Sequence, residues 1–120
     1  MIKKKDICIL IQGRLGSKRC RRKLVRKIGN TCLIDNILTK VNHSVISKKY
    51  NCYYAVGDSL LMKKIKNYKN IKLIKRNNAS INSDQPKIVY NYFNNIKEKY
   101  ICFLNPCAVF LRMSTLDKAI

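Results

Sequence analysis

The chain has 120 residues, of which 47% are hydrophobic, and its 26 Lys and Arg against 6 Asp and Glu give a formal charge of +20. This length suits one domain with a modest core, and no apolar segment approaches the roughly 18 residues that cross a bilayer. The charge indicates an anionic partner, such as a nucleotide, a nucleic acid or a membrane surface, without choosing among them.

Strand and helix patterns alternate through the first half of the chain. Residues 7–11 are a continuous apolar run, which predicts a strand buried on both faces. Apolar residues at three- and four-residue steps then predict a helix over about 31–46, with Thr31 as its cap. Residues 52–56 predict a second strand. A shorter helix follows, with an apolar face formed by Leu61, Ile65 and Tyr68.

The second half continues the alternation. Residues 71–74 predict a third strand and residues 100–104 a fourth. Between them a polar loop over 76–83 precedes a helix, for which Ser83 or Asp84 is a suitable cap. The apolar face of this helix contains Val89, Tyr92, Phe93 and Ile96. Residues 114–117 have the capping-box pattern of one more helix start.

This alternation predicts an α/β fold in which a mainly parallel sheet lies between helices, a three-layer arrangement. In such folds ligands gather at the carboxyl ends of the strands. Because the last predicted helix has room for only about one turn before Ile120, we also expect a truncated form of a larger domain.

The cysteines do not form a metal or disulfide pattern. Six of them occur without a C-x-x-C pair, and the one histidine, His43, has no partner at metal-ligand spacing. Cys8 and Cys102 lie inside apolar runs, where a free thiol behaves as a small buried hydrophobe. No cleavage site follows the basic start of the chain, so we expect a cytoplasmic protein with free thiols.

A basic, glycine-containing segment over 12–23 directly follows the first predicted strand. Glycines let backbone N–H groups approach an anion, and cationic side chains neutralise phosphate oxygens. The segment is neither a Walker A loop nor a G-x-G-x-x-G fingerprint. Such a turn is often only a solvated connection, but its position after the first strand favours a polyphosphate site. Its six cations are Arg14, Lys18, Arg19, Arg21, Arg22 and Lys23.

Three segments together resemble a known family. Residues 11–19 followed by Lys23 are similar to the A-R-x-G-S-[KT]-[RG]-x-x-x-K signature of cytidylyltransferases that activate acidic sugars. Residues 103–111 resemble the family's Q/N-P-x-x-P-[LF] segment, and Arg76 with Ser83 and Asp84 resembles its R-x(n)-S-D stretch. The chain thus resembles the N-terminal half of an acylneuraminate (CMP-sialic acid synthetase-like) cytidylyltransferase.

This resemblance implies a Rossmann-like nucleotidyltransferase topology, with residues 1–120 as the N-terminal nucleotide-binding part of a single cytidylyltransferase domain. It implies that four residues of the basic segment hold the triphosphate of CTP: Arg14, Ser17, Lys18 and Lys23. It adds Gly16 to the nucleotide-binding residues and implies that Arg76, Ser83 and Asn105 line the pocket.

The resemblance also implies a reaction, the transfer of CMP from CTP to a sugar acid with release of pyrophosphate. Enzymes that activate ketodeoxyoctonate have an acidic residue where this chain has Cys107, so an acidic nonulosonic sugar of the sialic-acid type fits better. The family uses Mg²⁺, but its metal-binding aspartates, sugar contacts and much of its dimer interface come from a second half. None of the six acidic residues here forms a pair.

We therefore expect little or no catalysis by this chain alone. The alternatives are a truncated or decaying gene product and a split enzyme that a second chain completes, and a homodimer is a further candidate assembly. Three departures from the family pattern support this expectation: Gly13 replaces an alanine, and Arg21 and Val109 replace prolines. Losing the prolines loosens two loops.

A small nucleic-acid-binding module is the alternative, with Gly13–Gly16 as a KH-like G-x-x-G clamp. A KH clamp joins two helices, whereas this segment follows a predicted strand. No aromatic side chains lie beside the basic segment to stack on bases, so nucleic acid is disfavoured as the partner.

Overall fold

The computed structural model describes residues 2–16 and 23–120. In these ranges the strands are Ile7–Gln12 (β1), Lys27–Ile28 (β2), Thr31–Cys32 (β3), Asn51–Val56 (β4), Lys72–Lys75 (β5) and Tyr100–Leu104 (β6). The α-helices are Leu33–Asn42 (α1), Ile46–Lys49 (α2), Ser59–Met62 (α3), Asn78–Asn82 (α4), Pro86–Val89 (α5) and Met113–Ala119 (α6). Short 3-10 helices cover Lys4–Asp6, Lys63–Asn67 and Asn91–Asn95.

The main sheet has four parallel strands in the order β5-β4-β1-β6. Ile9 on β1 is aligned with Cys52 on β4 and with Cys102 on β6. The four predicted strands are confirmed to within one or two residues at each end. The apolar runs identified β1 and β4 because a central parallel strand is buried on both faces.

Side chains of β1 alternate between two cores on opposite faces of the sheet. Ile9 and Ile11 belong to the larger core, which also contains the buried face of α1. Cys8 and Leu10 belong to a smaller core with Tyr92 from the 3-10 helix at 91–95. The sheet is therefore covered on both faces, and the expected three-layer α/β fold is confirmed. Among the described residues no helix is long and apolar enough to cross a membrane.

The predicted start of the first helix is wrong because a hairpin precedes it. Gly29, with φ at +61°, lies in the turn between β2 and β3, and Ile28 is aligned with Thr31 across that turn. A positive φ is readily adopted by glycine. Thr31 is therefore in a strand rather than at a helix cap, and Cys32 is the residue that precedes α1.

This helix also ends earlier than predicted, at Asn42, and α2 is a separate turn. The hydroxyl of Ser47 donates to the carbonyl oxygens of Asn42 at 3.1 Å and Ser44 at 3.0 Å. Such side-chain bonds compete with the helical backbone pattern. The helix periodicity of the apolar residues continues across the break, so the pattern alone could not locate it.

The helix predicted to start after a cap at Ser83 or Asp84 and to extend to about Ile96 is shorter and begins at Pro86. Pro86 is the first residue of α5, and Gln85 before it is extended, so neither Ser83 nor Asp84 is the cap. The chain leaves the α-helical conformation at Tyr90, and a 3-10 helix follows. The last helix likewise begins at Met113 after Arg112, not at the capping-box pattern of 114–117.

The strand order places β1 between two crossovers that run in opposite directions. The chain moves from β1 outward to β4 and β5, and then returns to the other side of β1 as β6. A crevice forms where the order reverses, outside the carboxyl ends of the strands. Here that position lies between the segments that follow β1 and β6.

Candidate functional site

A cavity of about 380 Å³ lies at this carboxyl edge, and we call it the cleft. It combines segments that follow three of the parallel strands: Gly13 and Arg14 after β1, Arg76 after β5, and Asn105 after β6. The volume is within the range of small-molecule sites. The full lining is Gln12, Gly13, Arg14, Lys23, Leu24, Arg76, Ser83, Asp84, Val89, Asn105, Pro106 and Cys107.

Arg76 is the most buried cation of the cleft, with 3% of its surface exposed. Its Nε donates to Ser80 Oγ at 2.9 Å, Nη2 to the Ser80 carbonyl at 2.7 Å and Nη1 to the Gly13 carbonyl at 3.1 Å. The guanidinium carbon also lies 5.8 Å from the ring centre of Tyr92. A guanidinium has five N–H donors, so two remain beyond these three bonds.

The charge of Arg76 has no carboxylate partner. The two ion pairs among the described residues are Lys49–Asp117 and Lys64–Asp35, and residues 17–22 contain no acidic side chain. Burial lowers the pKa of Arg76 and outweighs the opposing effects of Tyr92 and the more distant Asp58, and the nearby charge of Arg14 acts in the same direction as burial. A buried cation normally needs a compensating anion, so this arrangement favours an anionic ligand.

Arg14 and its loop are held from two sides. The Nη1 of Arg14 donates to the carbonyl oxygen of Ile81 at 3.2 Å, which directs the side chain across the cleft. The backbone N–H of Leu15 donates to Asp58 Oδ2 at 3.0 Å, just after the end of β4. These contacts hold the described start of the basic segment at the edge of the sheet.

Five of the eight predicted site residues line the cleft together: Arg14, Lys23, Arg76, Ser83 and Asn105. Gly16 is exposed and, in the described part of the chain, is not in the lining. Ser17 and Lys18 lie outside the described residues. The oxygen Oδ1 of Asn105 accepts a hydrogen bond from the Cys107 backbone N–H at 2.9 Å, which shapes the turn after β6.

Sequence reasoning missed several lining residues. Gln12 is the last residue of β1, and its Oε1 accepts a hydrogen bond from the Tyr92 hydroxyl. Asp84 and Cys107 are exposed at the rim, beside predicted residues. The positions of Asp84 and Cys107, one and two residues after the predicted Ser83 and Asn105, could have identified them from the sequence. The contact between Gln12 and Tyr92 could not be predicted, because it joins two elements that are far apart in the chain.

Lys40 on α1 anchors the loop that follows β6. Its Nζ donates to the carbonyl oxygen of Leu111 at 3.1 Å and also to that of Val109. Val109 is at the position where the family pattern has a proline. The hydrogen bonds from Lys40 therefore restrain a loop that lacks the rigid proline ring. The loop includes Asn105 and Cys107, and Lys40 therefore acts on the cleft without lining it.

The described residues do not supply a complete set of magnesium ligands by themselves. Mg²⁺ is usually held by one or two carboxylates together with substrate phosphates. Asp84 is the one carboxylate in the described lining of the cleft, and no group of three or more His, Cys, Asp or Glu among the described residues could hold a metal ion.

Comparisons with known proteins agree on one family. A family model described as cytidylyltransferase matches residues 8–120. Among solved structures, CMP:2-keto-3-deoxy-manno-octonic acid synthetase complexed with CTP is similar with a TM-score of 0.73 and 14% identity, over 95% of this chain and 45% of that chain. No curated protein sequence matches significantly.

A second solved structure, a cytidylyltransferase from Leptospira borgpetersenii serovar Hardjo-bovis (strain JB197), is similar with a TM-score of 0.66 and 17% identity. That match covers 95% of this chain and 47% of the other. The chain thus spans about half the length of these structures. At such identities the likeness shows the fold, including the parallel nucleotidyltransferase-like sheet.

Proposed function

We propose, from the premise that this chain belongs to the cytidylyltransferase family, that its cleft binds CTP through the triphosphate. The chain would be the CTP-binding part of an enzyme that transfers CMP to an acidic sugar and releases pyrophosphate. The proposal assigns the phosphates to Arg14, Lys23 and Arg76, together with Ser17 and Lys18.

The buried guanidinium of Arg76 is the observation that supports this assignment best. It lies at the carboxyl edge of the sheet, has N–H groups left to donate and has no carboxylate partner. Arginine forms paired, charge-assisted hydrogen bonds with phosphate oxygens. A triphosphate with about four negative charges would compensate the cations of the cleft.

We further propose that the sugar is an acidic nonulosonic acid of the sialic-acid type, because Cys107 stands where a ketodeoxyoctonate-type enzyme has an acidic residue. The chain spans only about half the length of the solved structures it matches. The remaining groups for catalysis would lie outside residues 1–120, and these residues by themselves would bind CTP without turnover. Free thiols at the described cysteines support a cytoplasmic location.

Calorimetric titration with CTP tests the proposal. Arg14→Ala should weaken binding by more than about 1.5 kcal/mol, roughly tenfold in Kd, because it removes a charge-assisted contact. Arg112→Ala is the matched control, since Arg112 is exposed at the start of α6 and outside the cleft lining. If Arg14→Ala and the wild type had the same CTP affinity, the assignment of Arg14 to the triphosphate would be wrong.

The nucleic-acid alternative predicts a different result. Gly13 and Gly16 follow β1, whereas a KH-type clamp joins two helices. If single-stranded RNA bound with a steep salt dependence and CTP did not compete, the alternative would replace the proposal.

A further inference from the structure

We infer that this chain binds CTP as the metal-free anion, and that Mg²⁺ weakens this binding instead of supporting it. The inference rests on the proposed function and concerns the form of the ligand. It follows from where the six carboxylates lie and from the charge that faces the cleft.

Four of the six carboxylates are engaged away from the cleft. Asp35 and Asp117 pair with Lys64 and Lys49, each at 2.9 Å. Glu98 is buried and accepts hydrogen bonds from the Tyr53 hydroxyl at 2.6 and 3.0 Å. Asp6 accepts the backbone N–H of Lys3. Asp58 lies nearer, after β4 at the carboxyl edge, but it is outside the described lining and its Oδ2 accepts the backbone N–H of Leu15.

Asp84 is the one carboxylate in the described lining of the cleft, and it is exposed at the rim. One carboxylate leaves most of the coordination of an octahedral Mg²⁺ to water and phosphate. Residues 17–22 cannot add another acidic ligand, because their sequence is Ser-Lys-Arg-Cys-Arg-Arg. The chain thus gives the metal little attraction of its own.

The charge of the cleft favours the more anionic form of the nucleotide. Arg14, Lys23 and Arg76 face Asp84 alone, which leaves a surplus of positive charge in the described lining. Metal-free CTP has about two more negative charges than its Mg²⁺ complex, so it gains more Coulombic energy from these cations.

The buried guanidinium of Arg76 strengthens the preference for metal-free CTP. Arg76 is 3% exposed, and a phosphate there would interact with little screening by solvent. A Mg²⁺ ion on the same phosphate would compete for its oxygens and repel the guanidinium. The two cations therefore oppose each other at this position.

Titration of CTP in EDTA and in excess Mg²⁺, at matched ionic strength, tests the inference. We expect the Kd for CTP to rise by about threefold or more when Mg²⁺ is present, from the loss of two charges facing the cleft. A Kd that is unchanged or lower with Mg²⁺ would overturn the inference while leaving the proposed function intact. No CTP binding under either condition would overturn both.

The variant Asp84→Asn distinguishes two roles for Asp84, as a metal ligand or as a negative charge that repels the phosphates of CTP. Asp6→Asn, just before the start of β1 at the opposite end of the sheet, is the control. The inference expects Asp84→Asn to tighten CTP binding in EDTA and to leave the penalty from Mg²⁺ in place. If Asp84→Asn abolished binding in Mg²⁺ alone, Asp84 would be a metal ligand and the inference would be wrong. Asp6→Asn should leave both titrations unchanged.

Discussion

Arg76 Nη1 donates to the carbonyl oxygen of Gly13 at 3.1 Å, although the two residues lie 63 positions apart. The bond joins the segment after β5 to the start of the basic loop after β1. Since Arg76 is also held by both oxygens of Ser80, displacement of its backbone would move two parts of the cleft at once.

Gly57→Ala should displace that backbone. A Cβ at Gly57 would lie 2.6 Å from the carbonyl oxygen of Arg76 and 2.8 Å from Cγ2 of Ile81. A backbone atom cannot rotate away, so we expect a loss of about 1–3 kcal/mol in the free energy of unfolding. Chemical denaturation measures this loss, and CTP titration should show weaker binding.

Gly16→Ala is the matched control for stability, because a Cβ there would meet nothing within 4 Å. Its free energy of unfolding should equal or slightly exceed that of the wild type. Equal stability of Gly57→Ala and Gly16→Ala would show that the approach of Gly57 to Arg76 does not constrain the fold.

Lys40→Met should loosen the loop after β6. It removes the donor to the carbonyl oxygens of Val109 and Leu111, and we expect the free energy of unfolding to fall by about 1–2 kcal/mol. Because Asn105 belongs to this loop, the Kd for CTP should also rise. Lys48→Met, at an exposed position, should change neither quantity. A CTP affinity that Lys40→Met leaves intact would contradict the anchoring role.

Tyr53→Phe should destabilise the sheet through Glu98. The Tyr53 hydroxyl donates to both oxygens of this buried carboxylate, and its loss leaves the charge without that donor. We expect a cost of about 1–3 kcal/mol in denaturant unfolding. Tyr100→Phe, at a residue that is 49% exposed, should cost nothing measurable. Similar stabilities of the two variants would refute the role of the Tyr53–Glu98 pair.

Asp35→Asn should change how stability depends on pH. Burial opposes ionisation of Asp35, but hydrogen bonds from Lys64, Cys32 and Tyr68 outweigh it and lower its pKa below the ordinary 3.8. Its contribution is therefore present above that value and is lost as the pH falls through the lower folded pKa. We expect the variant to lose about 0.5–1 kcal/mol at neutral pH, since the pair is partly exposed.

Denaturant unfolding of wild type and Asp35→Asn, near neutral pH and near about pH 3, measures this difference. The gap should shrink in acid. A gap that stays constant across the two conditions would show that the carboxylate charge is not the source.

The sheet was predictable because each central strand is a short apolar run that ends in a polar turn. The ends of the helices were less predictable, because they depend on individual side chains. Pro86 is the first residue of α5, and the hydroxyl of Ser47 donates to the carbonyl oxygen of Asn42, where α1 ends. The Gly29 turn was a readable hairpin signal that the helix periodicity beyond it obscured.

Much of the cleft was predictable too, because parallel strands bring the segments after them to one edge. This is why Arg14, Arg76 and Asn105, far apart in sequence, line one cavity. The contacts that hold the loops around the cleft in place were not predictable. The contacts of Lys40 with the loop after β6 and of Asp58 with Leu15 depend on packing between distant elements.

Protection of Cys107 from alkylation tests the central claim most directly. This exposed thiol lies in the lining of the cleft. Cys102 shares the tryptic peptide 100–112 with it, so fragment-ion sequencing of that peptide is used to assign the label to Cys107. The control is a thiol introduced by Lys99→Cys, at an exposed position before β6 and away from the cleft. We predict that saturating CTP slows alkylation at Cys107 and leaves the control thiol unaffected. An unchanged rate at Cys107 under saturating CTP would contradict binding in the cleft.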